Sequence, residues 1–397
     1  MKPDLEVSNR VGWLIVVALV SSCLTPGLLS AQVALREETT ERWALDSSRQ
    51  QKVDQAVMEE MERQKLVGVA IGVIEGGEVA YVKGYGWANR EAEVPLDETT
   101  VINWASNSKP VSAVIAAGLV KAGRLDLDAD IRTYLPDFPD KGQTITTRQL
   151  LCHQSGMPHY SNGRIVPGEP LASRFPHPQP LPDLPEWDPA VAVARFVNSP
   201  LIHQPGHVED YSSYAYVLLS AVLQAAADQS LHEQIQVAVI EPLQLSSFQL
   251  DMPWHPSRQE MQAKWAAGYR RLSSGNIVVI PDVAHYWKHA AGGYKSNAND
   301  FSRWAAALLG ETLMDKSSKE IFWKPQQTAD GKIGAYGLGF AVDGRGQNFR
   351  VAHGGSQDET KTRMVLYPEQ RRGVVVMSNC NHADPGKIST AVFSAIR

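Results

Sequence analysis

The chain has 397 residues, 43% hydrophobic and 20% charged, with a formal net charge of -5. That length supplies one large domain or two moderate ones with a sizeable core, and the near-average composition excludes disordered and fibrous chains. The charge is mild and no block of like charges occurs, so nucleic acid is not an expected partner.

In chain order, the N-terminus comes first. Lys2 and Arg10 precede an uncharged run, VGWLIVVALV, followed by Pro26 and the small-residue stretch Leu29-Ser30-Ala31. This is the polarity order of a secretory signal, expected over residues 1–31 with cleavage after Ala31; the apolar run is too short to span a bilayer. Val20-Ser21-Ser22-Cys23 also resembles a lipoprotein box, in which Cys23 would be lipidated and anchor the protein to a membrane. Residues 32–397 are then one domain, expected periplasmic or secreted. Cys152 and Cys380 permit one disulfide or two separate buried thiols, and neither has CxxC spacing.

Glu37 to Lys65 carries Val53, Ala56, Val57 and Met61 at helical spacing, so an amphipathic helix is expected to pack on a sheet. VGVAIGVIEGGEVAYVKGYG then reads as a hairpin, with strands near Val67–Ile74 and Val79–Tyr85 around Glu75-Gly76-Gly77. Helical patterns dominate from about Val111 to Leu231. They are interrupted by FPHPQPLPDLPEWDP, which can be neither helix nor central strand and could border a cleft. A helix over Asn299–Leu309 precedes four strand candidates: GLGFAVDG, NFRVAHGG, TRMVLYP and GVVVMSN. The economical architecture is an α/β (α+β) fold: an antiparallel sheet of the N-terminal hairpin and the C-terminal strands, flanked by helices, with a mostly helical lobe inserted at roughly 111–290.

In WASNSKP, Ser106 and Lys109 stand three apart. Pro110 lacks an N–H and is tolerated only in a helix's first turn, so a helix must start near Ala105 to Asn107. Ser106 is then either an N-cap or a nucleophile whose proton Lys109 can take one turn on. The local residues leave both readings open.

Their company narrows the choice. From about Val67 to Ser378 the chain carries WASNSKP, GRLDLDADIRTYLPDF, ITTRQLLCHQSGMPHY, PGHVEDYSSYAYVLLS, AAGGYKSNANDFSRW, YGLGF and AHGG, in that order. In these motifs it resembles the serine β-lactamase and penicillin-binding-protein superfamily, in the branch of class C β-lactamases, DD-peptidases and related esterases. PDFPDK and the Tyr-Ser-small motif make it most similar to the mitochondrial β-lactamase-like serine proteases. The resemblance implies a nucleophile at Ser106, a first-turn lysine at Lys109 and a tyrosine at Tyr211. It also implies a cleft-edging strand at His353-Gly354-Gly355 and an oxyanion hole from the backbone N–H groups of Ser106 and Ser356. For Lys109 to act as a base near neutral pH, its pKa must fall about three units, and Tyr211 is expected to share the proton.

Two departures from the family bear on the substrate. Ser213 stands where many β-lactamases have an amide that contacts the acylamino side chain, which weakens the case for β-lactam hydrolysis more than for peptide or ester cleavage. His353 stands where many members have lysine. Either can bind a substrate carboxylate, but an unperturbed histidine loses its charge near pH 6.5, so that binding is expected to weaken as pH rises. His285 and His289 in HYWKH could face one metal, but no HExxH pattern or carboxylate ligand accompanies them, and no metal is expected. His153 and Ser155 are expected to be structural, and no cofactor motif or GxSxG elbow is present. The implied function is an exported serine hydrolase that acylates Ser106 and cleaves an amide, in a small-molecule or peptide substrate: a cell-wall-type peptide or a β-lactam. The alternatives are a carboxylesterase on the same scaffold and a non-catalytic penicillin-binding or scaffolding protein, with oligomeric state left open.

Overall fold

The computed structural model describes residues 44–172, 175, 185–253 and 259–397. The secretory-signal and lipoprotein-box readings lie outside these residues, as do the start of the expected Glu37–Lys65 helix and most of the Pro-rich stretch. The described part of that helix runs Ser47–Gln64. Asp46 opens it by accepting the Arg49 N–H, and Lys65 closes it in the left-handed region at φ 56°.

Twelve strands follow among the described residues. β1 (Gly68–Glu75), β2 (Glu78–Asn89) and β3 (Val94–Pro95) come first, then β4 (Ile102–Asn103), β5 (Gln249–Leu250), β6 (Gly268–Arg271), β7 (Ile277–Ile280) and β8 (Tyr294–Ser296). The last four are β9 (Ala341–Asp343), β10 (Arg350–Gln357), β11 (Thr360–Tyr367) and β12 (Arg372–Ser378). The large sheet has the order β3-β2-β1-β12-β11-β10-β9, antiparallel throughout. The N-terminal hairpin therefore joins the C-terminal strands through β1 and β12, with Val69 opposite Ser378.

Alternation along these two central strands divides the core. Val69, Ile71, Val73, Val374 and Val376 face the helices Ser47–Gln64 and Pro385–Ala395, meeting Val53, Val57, Ile388 and Val392. Ala70, Val375 and Met377 face the opposite way, into the larger core with Trp104, Phe301 and Trp304. A strand buried on both faces must be apolar along its whole length, which explains the unbroken run in β1.

The 111–290 segment adds two features to the expected mostly helical lobe. It contains strands, β5 and the β6–β7 hairpin, and β5 joins β4 and β8 in a three-stranded sheet. Its helices also share one continuous core with the large sheet, because Lys109–Lys121 and Tyr214–Ala227 are buried on nearly every face. Cys152 and Cys380 are both free and buried, and burial pushes the Cys152 thiol up to about 12. No helix among the described residues is long and apolar enough to cross a membrane.

Candidate active site

The turn Ala105–Ser108 runs directly into the helix Lys109–Lys121, with Pro110 in its first turn. Ser106 does not cap it. The Ala105 N–H donates to the side-chain oxygen of Asn103 at 2.6 Å, while Ala105 itself takes a positive φ of 48°. The Asn107 amide donates to the Thr362 hydroxyl at 2.8 Å, and that hydroxyl donates to the Trp104 carbonyl at 2.7 Å. With these groups holding the turn, the Ser106 hydroxyl is left to the Lys109 side chain.

Lys109 is fully buried. Its Nζ lies 3.2 Å from Ser106 Oγ, 3.2 Å from Ser213 Oγ and 2.7 Å from the Ala291 carbonyl. Burial, reinforced by the charge of Lys288, pushes its pKa well below the usual lysine range. A neutral amine has two N–H donors and one lone pair. Ala291 can only accept, so the lone pair can serve the Ser106 or the Ser213 hydroxyl.

Tyr211 is hydrogen-bonded to the side chains of Ser106 and Ser213, and burial raises its phenol so that it stays protonated. Its ring lies 4.8 Å from Lys109 Nζ. Two histidines clamp this segment: the Ser212 N–H donates to His153 Nδ1 at 3.2 Å and the Ser213 N–H to His159 Nδ1 at 3.1 Å. The His153 ring also packs 4.2 Å from that of Tyr211. Burial keeps His153 well below the normal histidine range and His159 at about 4, so both remain the neutral acceptors this clamp needs. The structural role expected for His153 is thus the placement of Tyr211.

β10 edges the cleft. Its pairing with β9 ends at Ala352, which leaves His353–Gln357 facing the nucleophile turn. Gly355 makes that approach possible, because a Cβ there would stand 2.3 Å from the Trp104 carbonyl oxygen and 3.1 Å from Ala105 Cβ. Burial holds His353 at about 3; its Nδ1 donates to the Gly354 carbonyl at 2.8 Å, and its buried Nε2 has no partner. The expectation that His353 binds a carboxylate by charge near pH 6 is therefore corrected. Desolvation and the nearby Lys109 keep it a neutral acceptor.

A cavity of about 690 Å³ joins these parts, lined by Ser106, Tyr211, Ser213, His353, Gly354, Gly355 and Ser356, with Lys109 buried behind Ser106. All the site residues named from the sequence thus converge. The cavity also includes Tyr160 and Tyr336, which belong to the motifs ITTRQLLCHQSGMPHY and YGLGF but were assigned no role there, and Lys288, Gln357 and Arg363, which lie outside the motifs and gave no sequence signal beyond their residue types.

The His285/His289 pair does not form a shared site. His289 breaks the turn at φ 43°, ψ -127° and its Nε2 meets the Glu186 carbonyl at 3.0 Å. Instead the fold brings carboxylates to His285: ligand-type atoms of Asp251, His285 and Glu359 lie within 4.8 Å of one another. Lys295 Nζ already lies 2.5 Å from Asp251 Oδ1, and the other Asp251 oxygen accepts from Asn103 at 2.8 Å. Asp251 is therefore already neutralised by a protein cation, which argues against a metal there.

Comparison with known proteins agrees with this geometry. The Beta-lactamase family model matches residues 53–395. Protein flp of Staphylococcus aureus (strain N315) is 24% identical over 346 residues, 85% of this chain but only 64% of its own length. Penicillin-binding protein 4* of Bacillus subtilis (strain 168) is 25% identical over 323 residues, 77% of this chain and 66% of its own. The octameric penicillin-binding protein homologue from Pyrococcus abyssi superposes with a TM-score of 0.70 at 23% identity, covering 87% of this chain and 76% of its own. EstCE1, described as a hydrolase with promiscuous acyltransferase activity, has a TM-score of 0.70 at 19% identity, covering 88% of this chain and 98% of its own. With the family model matched over most of its length and the Ser106–Lys109 turn folded against β10, this chain belongs to the β-lactamase family, within the serine β-lactamase and penicillin-binding-protein superfamily.

Proposed function

We propose that the protein is an exported serine hydrolase that works through an acyl-enzyme on Ser106 and cleaves an amide bond in a cell-wall-type peptide or a β-lactam. The observation that carries this reading is the 3.2 Å contact between Lys109 Nζ and Ser106 Oγ in a fully buried setting, with no carboxylate among the lysine's hydrogen-bond partners. Export rests on the N-terminal sequence pattern alone.

In this mechanism Ser106 Oγ attacks the carbonyl carbon while its proton passes to the neutral Lys109 amine. The oxyanion is held by the backbone N–H groups of Ser106 and Ser356, an arrangement worth several kcal/mol when preorganised. Collapse of the tetrahedral intermediate expels the leaving group, which takes a proton from Tyr211, and Lys109 restores the phenol. Water then attacks the acyl-enzyme by the same path in reverse. His353 Nε2, a neutral acceptor, suits a substrate N–H or O–H.

Ester cleavage is the second reading. The Ser213 hydroxyl lies 3.2 Å from Lys109 Nζ, so the position that offers an acylamino-binding amide in many β-lactamases is occupied here with the base. Intact-mass analysis after exposure to a fluorophosphonate and to a penicillin tests the nucleophile. Wild type should gain one adduct and Ser106→Ala none; equal labelling of the variant, or none of wild type by either reagent, removes the reading.

A further inference from the structure

The cavity beside Ser106 contains a cation that no catalytic step uses. Lys288 sits in the segment Tyr286–Ala291, whose last carbonyl accepts from Lys109. Its side chain makes one hydrogen bond, donating to Gln357 Oε1 at 2.9 Å. Gln357 is itself fixed, its amide nitrogen donating to Asn103 Oδ1 at 2.8 Å and to the Gly292 carbonyl at 2.6 Å. The Lys288 ammonium is thus anchored by one N–H and keeps two for the cavity, beside the rings of Tyr160 at 5.4 Å and Trp287 at 5.7 Å. Among the described residues no carboxylate lies within ion-pair distance of it. An anchored, half-buried ammonium with spare donors facing a cavity is a site for an anion.

We propose that Lys288 is the specificity-determining residue of the cleft, recognising a carboxylate carried by the substrate. The proposal deepens the acyl-enzyme reading and rests on it. The neutral His353 does not supply this charge, whereas the Lys288 ammonium lines the same cavity as Ser106 and is held in place by Gln357 at the end of β10.

Lys288 also has a distinctive titration. Burial lowers it to about 8, while Glu359, Asp251 and Asp358 oppose the shift and Arg195 adds to it. Its charge is felt by Lys109 and by His159. Preference for an anionic substrate should therefore be high near pH 6–7 and fade as pH rises through about 8, with no such loss for a neutral substrate.

The test compares 4-nitrophenyl hydrogen glutarate with its methyl ester, and 3-acetoxybenzoate with its methyl ester, so that the carboxylate is offered on the acyl side and on the leaving side. In wild type one of the two acids should exceed its methyl ester in kcat/KM by about tenfold or more, and Lys288→Met should remove that preference. Lys288→Arg should keep it within about threefold and make it insensitive to pH up to about 9, because a guanidinium does not titrate there. Equal use of acid and methyl ester by wild type, or a preference that survives in Lys288→Met, overturns the proposal. If Ser106 is not acylated at all, the hydrolase reading fails, and Lys288 is judged by calorimetry with N-phenylglutaramate and its methyl ester. Binding of the acid that weakens about tenfold in Lys288→Met supports the proposal, and unchanged or undetectable binding overturns it.

Discussion

Lys109 Nζ stands 3.2 Å from Ser106 Oγ and is fully buried, with hydroxyls and a carbonyl for partners rather than a carboxylate. Burial that would be a liability for an ordinary lysine is what makes this one a base, since it disfavours the charged form. Turnover of a neutral ester should therefore rise with pH through the lowered pKa of Lys109 and then level off. Lys109→Arg keeps a cation but cannot release its proton, so kcat should fall about 10²–10⁴-fold and the rising limb should disappear. A pH-rate profile of both proteins checks this.

Tyr211 is placed to protonate the leaving group, a task that matters in proportion to leaving-group basicity. Tyr211→Phe keeps the ring that packs on His153 and removes only the hydroxyl. Its loss in kcat/KM should be about 10²-fold or more for an amide or alkyl ester and much smaller for a 4-nitrophenyl ester, whose phenolate leaves unaided. A series of esters with graded leaving groups reads this directly, and a loss independent of leaving group would remove the proton-relay role.

The two adjacent glycines of β10 should respond differently. A Cβ at Gly355 would stand 2.3 Å from the Trp104 carbonyl oxygen, whereas at Gly354 the nearest atom is the Thr362 carbonyl oxygen at 4.0 Å. Gly355→Ala should push the strand off the nucleophile turn and cost about 10²–10³-fold in kcat, the scale of a lost oxyanion donor. Gly354→Ala should lose far less. Comparable losses in the two variants, with both folded by circular dichroism, would count against the close-approach argument.

Acid should destabilise the fold at pH values where most enzymes remain intact. His153, His289 and His353 are fully buried and held below the normal range, His289 at about 4 and His353 at about 3. In the unfolded chain each titrates near 6.5, so below that pH the unfolded state binds more protons and stability falls. Each such histidine contributes about 1.4 kcal/mol per pH unit between its unfolded and folded values. The midpoint of urea denaturation should drop steeply between about pH 6.5 and pH 4; a flat profile there contradicts neutral burial of these rings.

Much of the fold was legible because it depends on local pattern. Apolar runs with turn residues between them gave the hairpin and the C-terminal strands, and Pro110 marked the helix start that places Ser106. The helical lobe was less legible, since two-residue strands such as β4 and β5 carry no periodicity and exist only because β8 lies between them. Ser106, Lys109, Tyr211 and His353 could be named from ordered motifs. Lys288 could not, because its relation to the cleft is made through Gln357, 69 positions away in the chain.

The sequence by itself determined the residue types of the site, their order and the turn that starts the nucleophile helix, because helix entry and strand alternation are local properties of the backbone. Only the tertiary structure decided their charges. The pKa values of Lys109, His353 and Lys288 follow from how much water each has lost and which charges stand nearby. Those quantities come into being when distant segments pack together, and so Lys288 lines the cleft as a cation while His353 is a neutral acceptor.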